Sequence, residues 1–374
     1  MPQARLKSAQ VRGLHAVAPR EVRRLADEAD MRGFSSEHLK RLHSTAGLME
    51  RRVVAAGTTA LDLGEAATRG LLDALPVTDR DIDLLIFVTQ TPDYFQPCNA
   101  AMLHGRLGLA NTCAAFDVNL GCSGYIYGLW LAHSLIAAGG VRRAVLVASD
   151  TLSRCVHPQD NTVAPLFGDA AAATLIEAVS DPPFSSFSLY TDGRGADSII
   201  QPGGAFRNPA SEEMERETID AEGNRRRTRD LHMDGGEVFT FSITKPPECI
   251  RALLAFSDIS LDSVDVVVLH QANRYILHNI AKRLKLQPEK VPDGTIKRFG
   301  NTSSTSIPLT LTTDLQSRLH AGPLLAVLCG FGSGLSWGAA LVRIPRLVIC
   351  GFSEYPESND GASGRRGDKE SAEL

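Results

Sequence analysis

Two stretches far apart in the chain share one shape. Asp81-Ile82-Asp83-Leu84-Leu85-Ile86-Phe87-Val88-Thr89-Gln90 matches Ser263-Val264-Asp265-Val266-Val267-Val268-Leu269-His270-Gln271. Each opens on an acidic residue and runs on through apolar residues without alternation, the pattern of a strand buried on both faces. Cys122 follows Thr89 by 33 positions and Asn301 follows His270 by 31. A helical stretch comes next in each case, then another buried strand, Ala144-Val145-Leu146-Val147 or Leu324-Leu325-Ala326-Val327-Leu328. Repetition over so long a period indicates a duplicated module and not a solenoid. Alternating apolar strands and helices predict parallel-type α/β sheets with helices on both faces.

The 374 residues suffice for one large domain or two ordinary ones, and 43% hydrophobic content supplies a sizeable core. A net charge of −4 and a pI near 6.2 give no signature for nucleic acid or anionic membrane. Residues 1–21 lack an apolar signal core, and no run approaches the roughly 18 apolar residues of a membrane span. Seven cysteines are scattered without C-x₂-C spacing, so no metal site is expected. Six of them, Cys98, Cys113, Cys155, Cys249, Cys329 and Cys350, read as structural thiols. The expectation is a soluble, cytoplasmic protein. Residues 1–180 form the first half, 181–345 the second, and the polar stretch within 346–374 a disordered tail. Residues 202–230 read as a solvated loop whose Arg225-Arg226-Arg227 is a candidate surface for an acidic partner. Pro246-Pro247 is expected to break the helix that starts near Gly236.

Cys122 stands in Asn119-Leu120-Gly121-Cys122-Ser123-Gly124-Tyr125, where an apolar run gives way to a small-residue helix. A thiol at a helix start faces the positive end of the dipole and free N–H groups, which predicts a lowered pKa. Singly, Cys122, His270 and Asn301 fit packing, a satisfied core histidine and a helix cap. Together they fall at strand ends and helix starts in both halves, and in α/β architectures ligands bind at such crevices. Gly330-Phe331-Gly332-Ser333-Gly334 adds a turn whose backbone N–H groups can approach a reacting carbonyl.

The chain resembles the thiolase-like condensing enzymes, closest to the β-ketoacyl-acyl carrier protein synthase III group. The resemblance rests on five stretches in family order. They are Asp117-Val118-Asn119-Leu120-Gly121-Cys122-Ser123-Gly124-Tyr125, Phe167-Gly168-Asp169-Ala170, His270-Gln271-Ala272-Asn273, Phe299-Gly300-Asn301-Thr302-Ser303-Ser304, and Gly330-Phe331-Gly332-Ser333-Gly334-Leu335-Ser336-Trp337-Gly338. It covers residues 11–343 and implies a duplicated α-β-α-β-α layered fold with two pseudo-symmetric halves. It also implies that Cys122 accepts an acyl group as a thioester. His270 and Asn301 then hold the carbonyl of a malonyl thioester through decarboxylative Claisen condensation. Cys122 and Ser333 supply the oxyanion hole by backbone N–H. Phe331 packs beside the thiol. Asn273, Arg154, Gly235 and Phe239 match positions that contact the pantetheine or nucleotide of the donor.

The same resemblance implies no cofactor beyond the thioester substrates, a role in fatty-acid and lipid metabolism, and a homodimer in which Phe95 reaches the partner's acyl pocket. One departure bears on the donor. Arg41 stands where family members that take acyl-CoA carry a stacking Trp, and Thr45 where they carry an Arg. An acyl carrier protein is therefore the expected partner. Transfer from Cys122 to an amine or hydroxyl uses the same residues and stays open. A papain-like protease shares the Cys…His…Asn order but not the duplicated halves, and a silent partner subunit conflicts with the intact trio.

Overall fold

A computed structural model of the chain describes residues 3–75, 82–347 and 349–356. Asp81 and residues 357–374 of the expected tail lie outside the described residues. The strands of the two large sheets are β1 (Gln3–Leu6), β2 (Ala9–Pro19), β3 (Leu84–Val88), β4 (Ala114–Val118), β5 (Arg143–Asp150) and β6 (Ala170–Ala178), then β7 (Ser185–Thr191), β8 (Val266–Leu269), β9 (Leu324–Gly332), β10 (Ser336–Ile344) and β11 (Cys350–Tyr355). Both apolar runs are strands, and every residue of β3 and β8 is buried.

The first sheet has the order β11-β2-β6-β5-β3-β4 and the second β1-β7-β10-β9-β8. The duplication is visible strand by strand. β3 pairs parallel with β5 as β8 does with β9, while β6 returns antiparallel beside β5 as β10 does beside β9. The sheets are thus mixed, not parallel throughout as expected. The apolar runs reported burial, but direction is set by the connections: β9 and β10 are joined only by the turn Ser333–Leu335, and a chain that reverses so tightly must pair antiparallel.

Helices α1 (Ala60–Ala74) and α2 (Asn99–Leu107) cover the outer face of the first sheet. Helix α3 (Gly124–Ala137) lies between the sheets, touching strands of both. α4 (Gly235–Ser257) and α5 (Arg274–Leu284) cover the outer face of the second sheet, and α6 (Ser306–Thr313) joins α3 in the middle layer. The result is the five-layer α-β-α-β-α arrangement. α3 is apolar almost all round, as a helix walled by two sheets must be. Gly128 lets it settle onto β5, since a Cβ there would meet Leu146 Cδ1 at 2.5 Å.

Three further expectations are corrected. Pro246 and Pro247 do not end α4, which runs from Gly235 to Ser257 with both prolines buried. Their fixed φ suits a helix, and the loss of two N–H donors is outweighed by a long face packed on β10 and α5. The tail does not start at residue 346: Cys350–Tyr355 pairs parallel with β2 in the first sheet. β1, assigned to the first half by position, pairs with β7 in the second sheet.

Within the middle layer, His133 of α3 is buried against Phe187, with ring centroids 5.4 Å apart, and neither ring nitrogen has a partner among the described residues. Burial alone pushes its pKa down to about 4. The unfolded chain, with a histidine near 6.5, therefore binds the proton first as pH falls, so stability is lost from about pH 6.5 down to about pH 4 and then levels off. We expect wild type to lose about 3 kcal/mol over that window relative to His133→Leu. Urea midpoints of both proteins at pH 7 and pH 4.5 check this, and a constant difference between them contradicts it.

Candidate active site

Cys122 is placed by the start of α3, and the hairpin β9–β10 of the other half closes over it. Ser123 Oγ and Ser336 Oγ are 2.6 Å apart, and Ser336 Oγ donates to the Ser333 carbonyl at 3.0 Å. This pins the turn to the helix start. The backbone comes so near that a Cβ on Gly332 would lie 2.8 Å from Cys122 Sγ, and one on Gly330 would lie 2.6 Å from the Cys122 carbonyl oxygen. The glycines are required by this approach.

The thiol does not have the lowered pKa expected of a helix start. Burial pushes it up to about 12, and the nearby Asp150 charge pushes the same way. Ser303, whose Oγ lies 3.9 Å from Sγ, opposes the shift, as do the backbone N–H groups of Cys122 and Ser333. The helix begins at Gly124, so Cys122 precedes its first turn, and desolvation outweighs the dipole. The two N–H groups aimed at the sulfur are those the sequence put forward for an oxyanion hole.

His270 follows β8. Its N–H donates to the Cys329 carbonyl at 2.8 Å, its Nδ1 lies 2.8 Å from Ser306 Oγ, and Phe331 meets its ring edge-on at 5.4 Å. Burial holds the imidazole neutral, with a pKa pushed down to about 3. Asn301 is stitched to the first half: its N–H donates to Leu166 O at 2.8 Å and its carbonyl accepts from Gly168 N at 3.1 Å. The Asn301 Oδ1 accepts from Ser303 N at 3.0 Å, and its side-chain NH₂ has no partner among the described residues. Phe167-Gly168-Asp169-Ala170 is thus a structural seam. The Asp169 carboxylate, raised to about 6 by burial, accepts from Val54 N at 2.9 Å and from Ser153 N at 3.0 Å.

Cys122, His270, Asn301, Phe331 and Ser333 line one cavity of about 350 Å³, together with Asn273, Gly235 and Phe239. Gly235 opens α4, Phe239 stacks on Tyr275 at 5.4 Å, and Asn273 caps α5 by accepting from Ile276 N at 2.8 Å. Arg154 and Phe95 do not reach this cavity. Both line a second one of about 710 Å³, where the Arg154 guanidinium donates to the Thr58 carbonyl at 2.9 Å. Phe95 is 71% exposed, 5.5 Å from the ring of Phe206.

Arg225, Arg226 and Arg227 do not form a basic surface. Arg225 pairs with Glu217 at 2.9 Å, Arg226 with Asp160, and Arg227 with Asp230 at 3.0 Å, so carboxylates beyond the tripeptide neutralise each one. Arg41 and Thr45 are exposed, at the end of one short helix and within the next turn. Sequence reasoning passed over Ser303, Ser306 and Asp150. The first two stand inside or beside the quoted motifs, whereas Asp150 had no signal beyond closing an apolar strand.

Known proteins match this chain in sequence and in fold. The description "3-Oxoacyl-[acyl-carrier-protein (ACP)] synthase III C terminal" matches residues 254–344, and "3-Oxoacyl-[acyl-carrier-protein (ACP)] synthase III" matches residues 116–193. The β-ketoacyl-[acyl-carrier-protein] synthase III of Symbiobacterium thermophilum is 35% identical over 335 residues, spanning 89% of this chain and 97% of its own. That of Streptococcus sanguinis is 33% identical over 329 residues, spanning 87% and 96%. Among solved structures, a 3-oxoacyl-(acyl-carrier protein) synthase from Burkholderia xenovorans superposes with a TM-score of 0.87 at 35% identity, over 95% of this chain and 99% of its own.

The desolvated thiol generates an expectation for reactivity. With its pKa raised to about 12, the alkylation rate of Cys122 by iodoacetamide should climb about tenfold per pH unit through pH 9. A plateau below pH 9, followed by labelled-peptide mass, would show an ordinary or activated thiol instead. Gly332→Ala should slow the reaction sharply, because its methyl group occupies the space beside Sγ.

Proposed function

The chain belongs to the 3-oxoacyl-[acyl-carrier-protein] synthase III family of thiolase-like condensing acyltransferases, and we propose that Cys122 is its acylated nucleophile, with His270 and Asn301 serving the malonyl half-reaction. The carrying observation is the single cavity in which those three side chains meet, with two backbone N–H groups directed at the sulfur. In loading, Cys122 attacks an acyl thioester, and the N–H groups of Cys122 and Ser333 hold the oxyanion of the tetrahedral intermediate. In condensation, the neutral imidazole of His270 and the side-chain NH₂ of Asn301 hold the carbonyl of a malonyl thioester. Loss of carbon dioxide leaves an enolate, and its carbon attacks acyl-Cys122 to give a β-ketoacyl product. A neutral His suits this role, since donors that carry no full charge stabilise the enolate without trapping it. The names of the relatives, synthases of 3-oxoacyl thioesters, favour this acceptor over an amine or hydroxyl.

Finer assignments follow. Asn273, Gly235 and Phe239 line the pantetheine approach, which their place on the cavity wall supports. The protein works in the cytoplasm, in fatty-acid and lipid biosynthesis, and needs no cofactor beyond its thioester substrates. No helix among the described residues is long and apolar enough to cross a membrane. It works as a homodimer: Tyr94 at 59%, Phe95 at 71% and Phe206 at 88% exposure form an aromatic patch beside the second cavity, suited to a partner subunit. The donor is an acyl carrier protein, because Arg41 and Thr45 offer neither an aromatic platform nor a phosphate-pairing Arg.

Cys122→Ala should abolish acyl loading from any thioester by intact mass. His270→Ala and Asn301→Ala should keep appreciable loading while losing roughly 10²-fold in condensation. Should the wild type release no carbon dioxide from malonyl thioesters, the malonyl assignment fails. For the donor, one lost stacking contact of about 1 kcal/mol weakens CoA binding roughly fivefold. The kcat/KM for one acyl group should therefore be higher on the carrier protein than on CoA, and equality would refute the preference.

A further inference from the structure

β11 lies beyond the matched family descriptions, which end at residue 344, and none of its residues lines the cavity. Its side chains nonetheless reach the segment that carries Asn301. Phe299 and Gly300 precede that residue, and Gly300 has φ +72°, so the chain turns sharply into Asn301. Phe299 is buried with its main chain pressed on the seam, where its carbonyl oxygen would lie 1.9 Å from a Cβ on Gly168. The ring of Phe299 is held elsewhere. It meets Phe352 of β11 edge-on, with centroids 5.4 Å apart. The Arg52 and Arg298 guanidinium carbons lie over the same ring, 5.8 and 5.2 Å from its centroid.

Arg52 is tied to β11 as well. Its Nη1 donates to the Pro19 carbonyl at 3.1 Å, the Arg20 carbonyl at 3.2 Å and Glu354 Oε1 at 2.8 Å. Its Nε has no partner among the described residues, and its own carbonyl accepts from Asp169 N at 2.8 Å. Phe352 and Glu354 stand two apart on a strand, so they share one face. The strand itself is secured without them. It pairs parallel with β2 from Cys350 to Tyr355, and Gln316 Nε2 donates to the Cys350 carbonyl at 2.7 Å.

We propose that Phe352 and Glu354 are positioning residues of the malonyl half-reaction: Phe352 directly, and Glu354 through Arg52, hold the Phe299 ring and so aim the side-chain NH₂ of Asn301. The inference rests on the reading of Asn301 as a donor in that half-reaction. The line of contact is short. One ring contact joins Phe352 to Phe299, and two peptide units join Phe299 to Asn301. Cys122 is placed by the start of α3 and the β9–β10 turn, so acyl loading does not depend on this face of β11.

The neighbours of Phe299 explain why β11 is needed there. The apolar cluster around it is completed by Ala16, Ala18, Ala170, Ala172 and Leu309, with Phe352 packed against it. The alanines are too short to replace the Phe352 ring, and an interior deprived of it leaves the Phe299 ring room to tilt. A tilt there moves the turn at Gly300 and with it the direction of Asn301. A donor displaced by a fraction of an ångström no longer meets the carbonyl it serves.

A double-mutant cycle read on the two half-reactions separates positioning from mere support of the fold. Phe352→Ala and Glu354→Ala, each in the full chain, should load acyl groups at the wild-type rate, followed by intact mass in a single turnover. In condensation with a malonyl thioester, Phe352→Ala should lose about tenfold in kcat with KM little changed. Glu354→Ala, which acts through a partly exposed ion pair, should lose about threefold. In an Asn301→Ala background neither substitution should cost more than about a further 1.5-fold, because the group they aim is gone. Phe352→Tyr, which keeps the ring, should restore condensation. A wild-type kcat in Phe352→Ala overturns the proposal, as does a loss of equal size with and without Asn301, or an equal loss in loading. The Glu354 side chain is 41% exposed, so Glu354→Ala carries the cycle unaided should Phe352→Ala not fold. Should Asn301→Ala alone leave condensation intact, the malonyl reading of Asn301 falls first, and this inference with it.

Discussion

The backbone of Gly332 lies directly against the side chain of Cys122, and the site depends on that contact. It requires the hairpin of the second half to reach the helix start of the first, which in turn requires α3 to be shared between both sheets. Gly128 allows the helix to sit on β5, and the Ser123–Ser336 hydroxyl pair fixes the turn above it. The same approach delivers the Ser333 N–H to the sulfur and packs backbone against one side of it. Positioning and desolvation are therefore one event, and the raised thiol pKa is its electrostatic cost.

The site that results has neutral donors. His270 is kept uncharged, Asn301 has one oxygen committed to Ser303, and the oxyanion donors are main-chain groups. Its carboxylates, Asp150 and Asp169, are buried and satisfied by hydroxyl and backbone donors. Such a cavity favours charge that develops transiently within it, because the donors are already oriented.

Much of this was legible in the sequence where one residue type answers to one physical demand. Unbroken apolar runs identified β3 and β8, since burial on both faces allows no polar alternation. Cys122, His270 and Asn301 stood out because each ends a strand or opens a helix at a repeated position. Strand direction was not legible, because apolarity carries no information about connection length. The helix dipole misled for Cys122, since its desolvation comes from glycines more than 200 positions downstream. Pro246 and Pro247 misled because propensity is local, whereas the face of α4 is buried by distant elements. Arg225–227 looked basic only while their carboxylate partners were unseen. Arg154 falls at an expected place in the chain, yet its side chain lines a different cavity.

The crossed ends of the chain have a consequence for how the molecule forms. β1 edges the second sheet and β11 edges the first, so each sheet takes its last strand from the opposite end of the polypeptide. The first sheet is incomplete until residue 355 has emerged from the ribosome, and the second, though begun at Gln3, waits for β7 to give β1 a partner. Contacts of such sequence separation place the molecule among slow, topologically complex folders. A chain interrupted before β11 leaves β2 with an unpaired edge, open to pairing with a neighbouring copy. The ancestral halves have thereby given up their independence: neither can be cut from the sequence as a contiguous piece with its sheet intact.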